Sequence, residues 1–501
     1  MPDAERQPLL KKETPNGLPW AQVVLLGLFR VTHAIYFGYI LAWITPFIIG
    51  HGLADSHDVG RVAGWIESAY SLGILTGLGP ASYLSDAFGR KATASAGTLL
   101  ASIGTMAFGF SSKLWQMVVL RCSIGFFMAF IPAMVLTSLI ELSTPETLPT
   151  AFAVSYAAWT TGQVIAPGIG GFLAEPAKHY PGLFGGTVWE EYPYALSGVV
   201  AAALPVLSTV IGFFVLKETL PVERRRSLLS LLGRRQEPQA ISLGSETSNQ
   251  PGNGEQSTSW KELLTRPVCY MLCIYGLFIF MIVAHLVAEV LLLSSPESVN
   301  GLQMAPREMA VLYSVRPLVG AMLNMFLYPI LARHWSTESI LKWCFTYVLP
   351  FFYLGYFVLG YVASYPTVHL THSTLITALF GLAILNVIDG CAQTATGQTL
   401  SARAPSRAYL SKLTTLSEYT ANSAHGMGAM IGCNLWAIGV RYHILRSQFF
   451  FVVLFALAIV LASMSRRVTS EKTWQEREAE VETIVGECPA DIFSSVVATA
   501  A

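Results

Sequence analysis

Apolar runs of about 20 residues recur along this 501-residue chain, each long enough to cross a ~30 Å hydrocarbon core as a helix. Their expected positions are 20–47, 62–83, 92–111, 114–141, 150–174 and 193–216, then 267–294, 306–332, 338–363, 371–394, 408–440 and 446–465. Inside lipid every backbone amide and carbonyl needs an internal partner, so such runs fold as helices or as strands of a closed barrel. Barrel strands alternate in polarity over about ten residues, and these runs do not. Composition agrees, because 12% charged residues is about half the ~25% of a soluble domain. The chain is therefore expected to be an all-α polytopic membrane protein with twelve transmembrane helices in two six-helix bundles.

Polar segments divide it. Residues 1–19 form a tail, 20–216 the first bundle, 217–266 a linker, 267–465 the second bundle and 466–501 a second tail. The linker is rich in Ser, Gly, Gln, Asn and Pro and is expected to be disordered. Its arginines (Arg224, Arg225, Arg226, Arg234, Arg235) suit a short basic helix on a membrane surface. Basic residues also concentrate at Arg90–Lys91, Arg333, Lys342, Arg403, Arg407, Lys412, Arg466, Arg467 and Lys472, which places those connections and both termini in the cytosol. Arg441 and Arg446 run against the trend, on the expected outer side.

The formal net charge is zero, so no basic surface argues for nucleic acid. The seven cysteines are expected simply to pack; Cys269 and Cys273 lack metal-site spacing, and no cofactor or metal is implied. His369 and His372, at i, i+3, read as interfacial residues rather than ligands. The first apolar run is too long for a signal peptide and lacks a cleavage site.

Between the second and third runs stands Leu84-Ser-Asp86-Ala-Phe-Gly89-Arg90-Lys91. It resembles the loop pattern Gly-x-Leu-Ala/Ser-Asp-Arg-x-Gly-Arg-Lys/Arg of the major facilitator superfamily, departing from it at Ser82 and Ala87. Gly89 permits a tight turn, while Arg90 and Lys91 are expected to hold the loop at the cytosolic lipid surface. Asp86 suits a neighbouring helix N-terminus, with its partial positive charge; the resemblance makes it a latch between the bundles. Arg121-Cys-Ser-Ile-Gly125 is similar to the family's Arg-x-x-x-Gly. Gly162, Ala166, Pro167, Gly170 and Gly171 resemble the "antiporter" signature of the drug–proton antiporter branch, with small residues every four positions for close helix approach. Gly64-Trp-Ile-Glu67-Ser68, Glu141, Tyr180–Phe184, Glu191–Tyr194 and Leu216-Lys-Glu218-Thr219-Leu-Pro221 narrow the likeness to fungal members, relatives of zinc-induced-facilitator-like transporters. Where relatives tend to have Gly-Pro in the eleventh run, this chain has Gly426-Met427-Gly428.

Charges inside a span are costly and need a partner or a wet cavity. Glu67 and Arg121 are expected at matching depth, which invites an ion pair; His285 and Glu289 share a helix face. Glu67, then Glu289 and Asp389, are the candidates for proton coupling. Arg30, His33, Arg121, His285, Arg316, Glu418, Asn422 and His425 are the candidates for the substrate cavity, Arg30 as holder of an anionic group or barrier to protons. Trp43, Trp65, Trp159 and Trp436 are pocket walls or interface anchors.

The expected function is proton-coupled export of a small solute by alternating access, by a monomer whose partners are the lipid bilayer, the solute and protons. A facilitated uptake carrier and a non-transporting sensor are the alternatives. No nucleophile–base pair or zinc spacing supports a membrane enzyme. Glu5, Leu9 and Leu10 fit an acidic dileucine signal toward a vacuole or late endosome, with the plasma membrane the other destination.

Overall fold

A computed structural model describes residues 18–143, 147–218, 260–299, 301–363, 390–406 and 409–468. The dileucine signal, the linker arginines, Asp389, His369, His372 and most of the tenth expected span lie outside these residues. The first half contains α1 (Trp20–Gly38), α2 (Val59–Phe88), α3 (Arg90–Gly109), α4 (Leu114–Met128, continued as Phe130–Leu142), α5 (Leu148–Phe172) and α6 (Ala195–Val215). The second contains α7 (Arg266–Ser294), α8 (Pro306–His334), α9, α10 (390–402), α11 (Leu410–Arg441) and α12 (Phe449–Arg466). Helix α9 runs from Thr337–Trp343 through a π-helical turn at Cys344–Val348 into Leu349–Ala363.

By length and composition, α1, α4, α6, α7, α8, α9 and α12 are able to cross a membrane. Helices α2, α3, α5 and α11 span 30, 20, 25 and 32 residues but carry more Gly, Ser, Thr and charge. Many of those polar and small residues face other helices. Ser95, Thr98, Ser102 and Thr105 of α3 are all buried, and the last three bond to carbonyls one turn back. Large apolar side chains such as Phe214, Met325 and Phe351 instead point outward, at 80%, 68% and 67% exposure, as a lipid-facing surface requires.

The first expected span is broken. Tyr39–Trp43 form a turn, and a short helix follows at Ile44–Gly50. The carbonyls of Tyr36 and Phe37, whose regular partners are the amides of residues 40 and 41, face the Arg121 guanidinium at 2.8 and 3.2 Å. Leu41 N bonds instead to Gly38 O. A side chain inserted at the ladder is a recognised cause of such a kink.

Glycines set two close approaches. Along α5, Gly162, Ala166 and Gly170 lie against α1: a Cβ on Gly162 would stand 2.6 Å from Ala34 Cβ, and Gly38 faces the Ala166 methyl. Gly162→Leu therefore overpacks this seam, at a cost of about 1–3 kcal/mol. A fall in the unfolding temperature of the purified protein is expected; an unchanged one would show that α1 and α5 separate freely.

The halves meet along two pairs, α2 with α11 and α5 with α8. Ser68 Oγ donates to Gly426 O at 3.1 Å, and Gly64 packs against Cys433. Gly171 abuts Pro306 and Ala310, while Arg441 Nη1 lies 3.6 Å from Asp58 Oδ1. The last three fall toward the expected outer end, whereas Ser68–Gly426 lies near the middle of α11. Gly426 and Gly428, standing where relatives tend to have Gly-Pro, are contact points: Gly426 touches Ser71, and Gly428 touches the backbone of α7 at Phe280.

Candidate functional site

Between the halves lies a cavity of about 210 Å³. Phe37 and Gly38 of α1, Leu41 of the turn after it, and Tyr156, Thr160, Gln163 and Pro167 of α5 form one wall. Tyr313, Arg316, Gly320 and Asn324 of α8, with Gly390 and Gln393 of α10, form the other. Gln393 also borders a second space of about 180 Å³, lined by Tyr275, Leu400, Leu413, Thr414 and Ser417.

Three ionic clusters surround these spaces. In the first half, Arg121 is fully buried and its Nη2 lies 3.3 Å from Glu67 Oε2, as their matching depth suggested. The guanidinium stands 4.5 Å from the centre of the Tyr70 ring. Neither Arg121 nor Glu67 lines the cavity. In the second half, Arg316 Nη1 pairs with Glu289 Oε2, and Tyr356 donates to Glu289 Oε1 at 2.6 Å. His285 Nε2 is 3.8 Å from the same carboxylate, with its ring among Phe352, Tyr353, Tyr356 and Phe451. Unlike Arg121, Arg316 faces the cavity. Sequence reading named Glu289 and Arg316 separately; their pairing joins α7 to α8, and helix depth alone does not reveal which faces converge.

The third cluster spans the halves. Arg30 Nη1 donates to His33 Nδ1 at 3.2 Å, and its guanidinium carbon is 5.2 Å from the Trp159 ring centre. His33 meets Trp159 edge-on at 4.8 Å. Phe37 contacts both Trp159 and His425 of α11. Glu418 lies two turns before His425 on α11, level with Arg30, which lies two turns before Phe37 on α1. Asn422 donates to the Glu418 carbonyl, so its amide serves its own helix. Among the tryptophans, Trp43 and Trp436 are buried core residues, Trp65 is 54% exposed, and Trp159 alone joins this cluster.

The loop motif corrects one expectation. Arg90 does not lie at the lipid surface: it is 7% exposed, and its Nη1 donates to Ser85 O at 3.2 Å. Gly89, at φ +108°, ends α2 and starts α3, a geometry that a side chain resists. The acid at the α3 N-terminus is Glu218, which accepts from Arg90 N and Lys91 N at 2.9 and 3.1 Å. Lys91 Nζ returns to Leu216 O at 3.0 Å. The Asp86 side chain lies outside the described residues. Glu218 belongs to the segment quoted for its likeness to fungal relatives, but nothing local in the sequence reveals a cap 128 residues away. Glu218→Ala removes a cap worth about 0.5–2 kcal/mol. The amides of Arg90 and Lys91 are then expected to exchange hydrogen several-fold faster, and unchanged exchange would remove Glu218 from this role.

Residues 29–417 match the Major Facilitator Superfamily. The chain belongs to this family. It is 27% identical over 406 residues to the major facilitator-type transporter psiT2 of Psilocybe cyanescens, covering 75% of this chain and 76% of that protein. It is 28% identical to the multidrug transporter mfsB of Aspergillus fumigatus, over 42% of this chain and 35% of that protein. Zinc Induced Facilitator 1 of Arabidopsis thaliana is 24% identical, over 68% and 70%. In fold, the chain superimposes on a bacterial homologue of the human lysosomal transporter Spinster, solved inward-facing and unoccupied. The TM-score is 0.63 at 15% identity, covering 91% of this chain and all of that one. The protein is thus a multi-pass membrane transporter of the major facilitator fold, not an enzyme.

Proposed function

We propose that this transporter exports small organic solutes by alternating access, with proton movement coupled through the Glu289–Arg316 pair. Twelve spans, cytosolic termini and a monomeric carrier in a vacuolar, endosomal or plasma membrane belong to the same reading. One observation carries the coupling assignment: of the two Glu–Arg pairs inside helices among the described residues, Glu289–Arg316 is the one that touches the cavity between the halves, through Arg316. Arg316 meets the cavity while Glu289 behind it is 3% exposed, so a solute or water reaching Arg316 alters its hold on the carboxylate and with it the readiness of Glu289 to take a proton. Glu289 thereby displaces Glu67 as the first candidate.

Contacts between the halves nearer the expected outer end, with the cavity between them, support a state facing the side that bears the basic connections. The name of one relative supports export: azaK of Aspergillus niger, 34% identical over 40% of this chain, is called an efflux pump. The test is efflux from a transporter-depleted yeast host, across a panel of drugs, organic anions and zinc, with and without a protonophore. Efflux that falls with the protonophore is expected. Efflux indifferent to it would sink the coupling and favour a facilitator, and accumulation in its place would reverse the direction.

A further inference from the structure

Three arginines, Arg30, Arg121 and Arg316, lie within the helices around the central space. Two of them are held by glutamates, Arg121 by Glu67 and Arg316 by Glu289. Among the described residues, Arg30 has no carboxylate within ion-pair distance, and its buried Nε has no hydrogen-bond partner. Across the cleft, Glu418 on α11 has no cation within that distance either; Asn422 bonds only to its backbone oxygen. The two charges stand level across the cleft: Phe37 of α1 meets His425 of α11 at 5.1 Å, and Arg30 and Glu418 each lie seven residues, about two turns, before that contact on their helices. Unpaired charge inside a membrane helix is costly unless a ligand or water reaches it.

Both residues are half-buried, and their neighbours line the two spaces. Phe37, which lines the larger cavity, contacts the Trp159 ring over which Arg30 lies. Tyr275 and Ser417, the latter next to Glu418, line the smaller one. We infer that Arg30 and Glu418 form a two-ended subsite for a zwitterionic solute, a carboxylate binding at Arg30 and an ammonium at Glu418, with Trp159 and Phe37 against its apolar body. The guanidinium offers Nε and Nη2 to a carboxylate in a fork geometry, because Nη1 is engaged by His33. Each half supplies one charge, so such a solute bridges the halves.

This subsite deepens the reading of the chain as a solute exporter, but its test needs no gradient and no flux. Three matched probes suffice: L-phenylalanine with both charges, 3-phenylpropionate with the carboxylate alone, and 2-phenylethylamine with the amine alone. Binding to detergent-purified protein is followed by ligand-dependent thermal stabilisation and by tryptophan fluorescence. L-phenylalanine is expected to bind roughly tenfold more tightly than either single-charge probe, as loss of one charged hydrogen-bond contact implies. Arg30→Gln should erase the preference for a carboxylate and keep that for an amine, and Glu418→Gln should do the reverse. Arg30→Lys and Glu418→Asp, which keep the charges, should retain part of the preference. If Arg30→Gln fails to fold, Glu418→Gln alone still decides the ammonium end. Equal binding of the three probes, no binding of any, or variants that lower all three alike would overturn the subsite. Failure of proton coupling in yeast, with the probe ranking intact, would leave it standing.

Discussion

Glu289→Gln protein should still reach the membrane folded, yet its efflux should no longer respond to a protonophore. Glutamine preserves shape and keeps an oxygen for the Tyr356 hydroxyl, which donates to Glu289 at 2.6 Å. What disappears is the group able to take and release a proton beside Arg316. Arg316 loses its counter-charge but faces the cavity, where its side chain is 17% exposed and water can solvate it. The stability cost is therefore small beside the functional one. If proton and solute share coupling of about 1–3 kcal/mol, gradient-driven efflux falls about 5- to 150-fold. Exchange of labelled for unlabelled solute, which needs no net proton movement, should persist in reconstituted vesicles. Gradient-driven efflux equal to wild type would remove Glu289 from coupling; loss of exchange as well would make it a binding or packing residue instead.

The helical architecture was legible because lipid leaves so few solutions. The apolar run expected at 267–294 is α7, Arg266–Ser294, and that expected at 306–332 is α8, Pro306–His334. Small residues every four positions in α5 announced a close approach, and α1 fills it at Gly162, Ala166 and Gly170. The break at Tyr39–Trp43 was only partly legible. Pro46, which has no amide for the Ala42 carbonyl, is a local signal the expected 20–47 span passed over, and the guanidinium from α4 that takes the Tyr36 and Phe37 carbonyls is about 80 residues away in sequence. Charge placement was half legible. Depth counting aligned Glu67 with Arg121, since both lie on long helices of known start. It did not join Glu289 to Arg316, nor show that Arg30 lacks an ion-pair partner, because both depend on how helices rotate about their axes. Hydropathy reports depth; rotation comes from packing. For the same reason Glu218, quoted only for a family likeness, proved to cap α3, while Arg90 turned inward rather than toward lipid.

Arg121 should carry the largest stability effect in the first half, and a different kind from Glu289. Its side chain is 0% exposed and holds three things at once: the Glu67 carboxylate and the carbonyls of Tyr36 and Phe37. Arg121→Met removes the charge but leaves Glu67, 4% exposed, without a counter-ion, and orphans the bent segment of α1. Breaking one side of a buried pair costs about 3–5 kcal/mol. Low yield and a clearly lower unfolding temperature in detergent are expected. Adding Glu67→Gln neutralises the stranded acid, so the double variant should recover much of the loss. Recovery stays incomplete, because the two α1 carbonyls still lack a donor. Additive losses in the double variant would mean that the pair is not coupled. The recovered double variant also separates architecture from mechanism. If it retains protonophore-sensitive efflux while Glu289→Gln does not, the first-half pair is a brace for the kink in α1 and the second-half pair is where the proton acts. If the double variant folds but loses that sensitivity, coupling runs through Glu67 and the cavity contact of Arg316 is not what distinguishes the two.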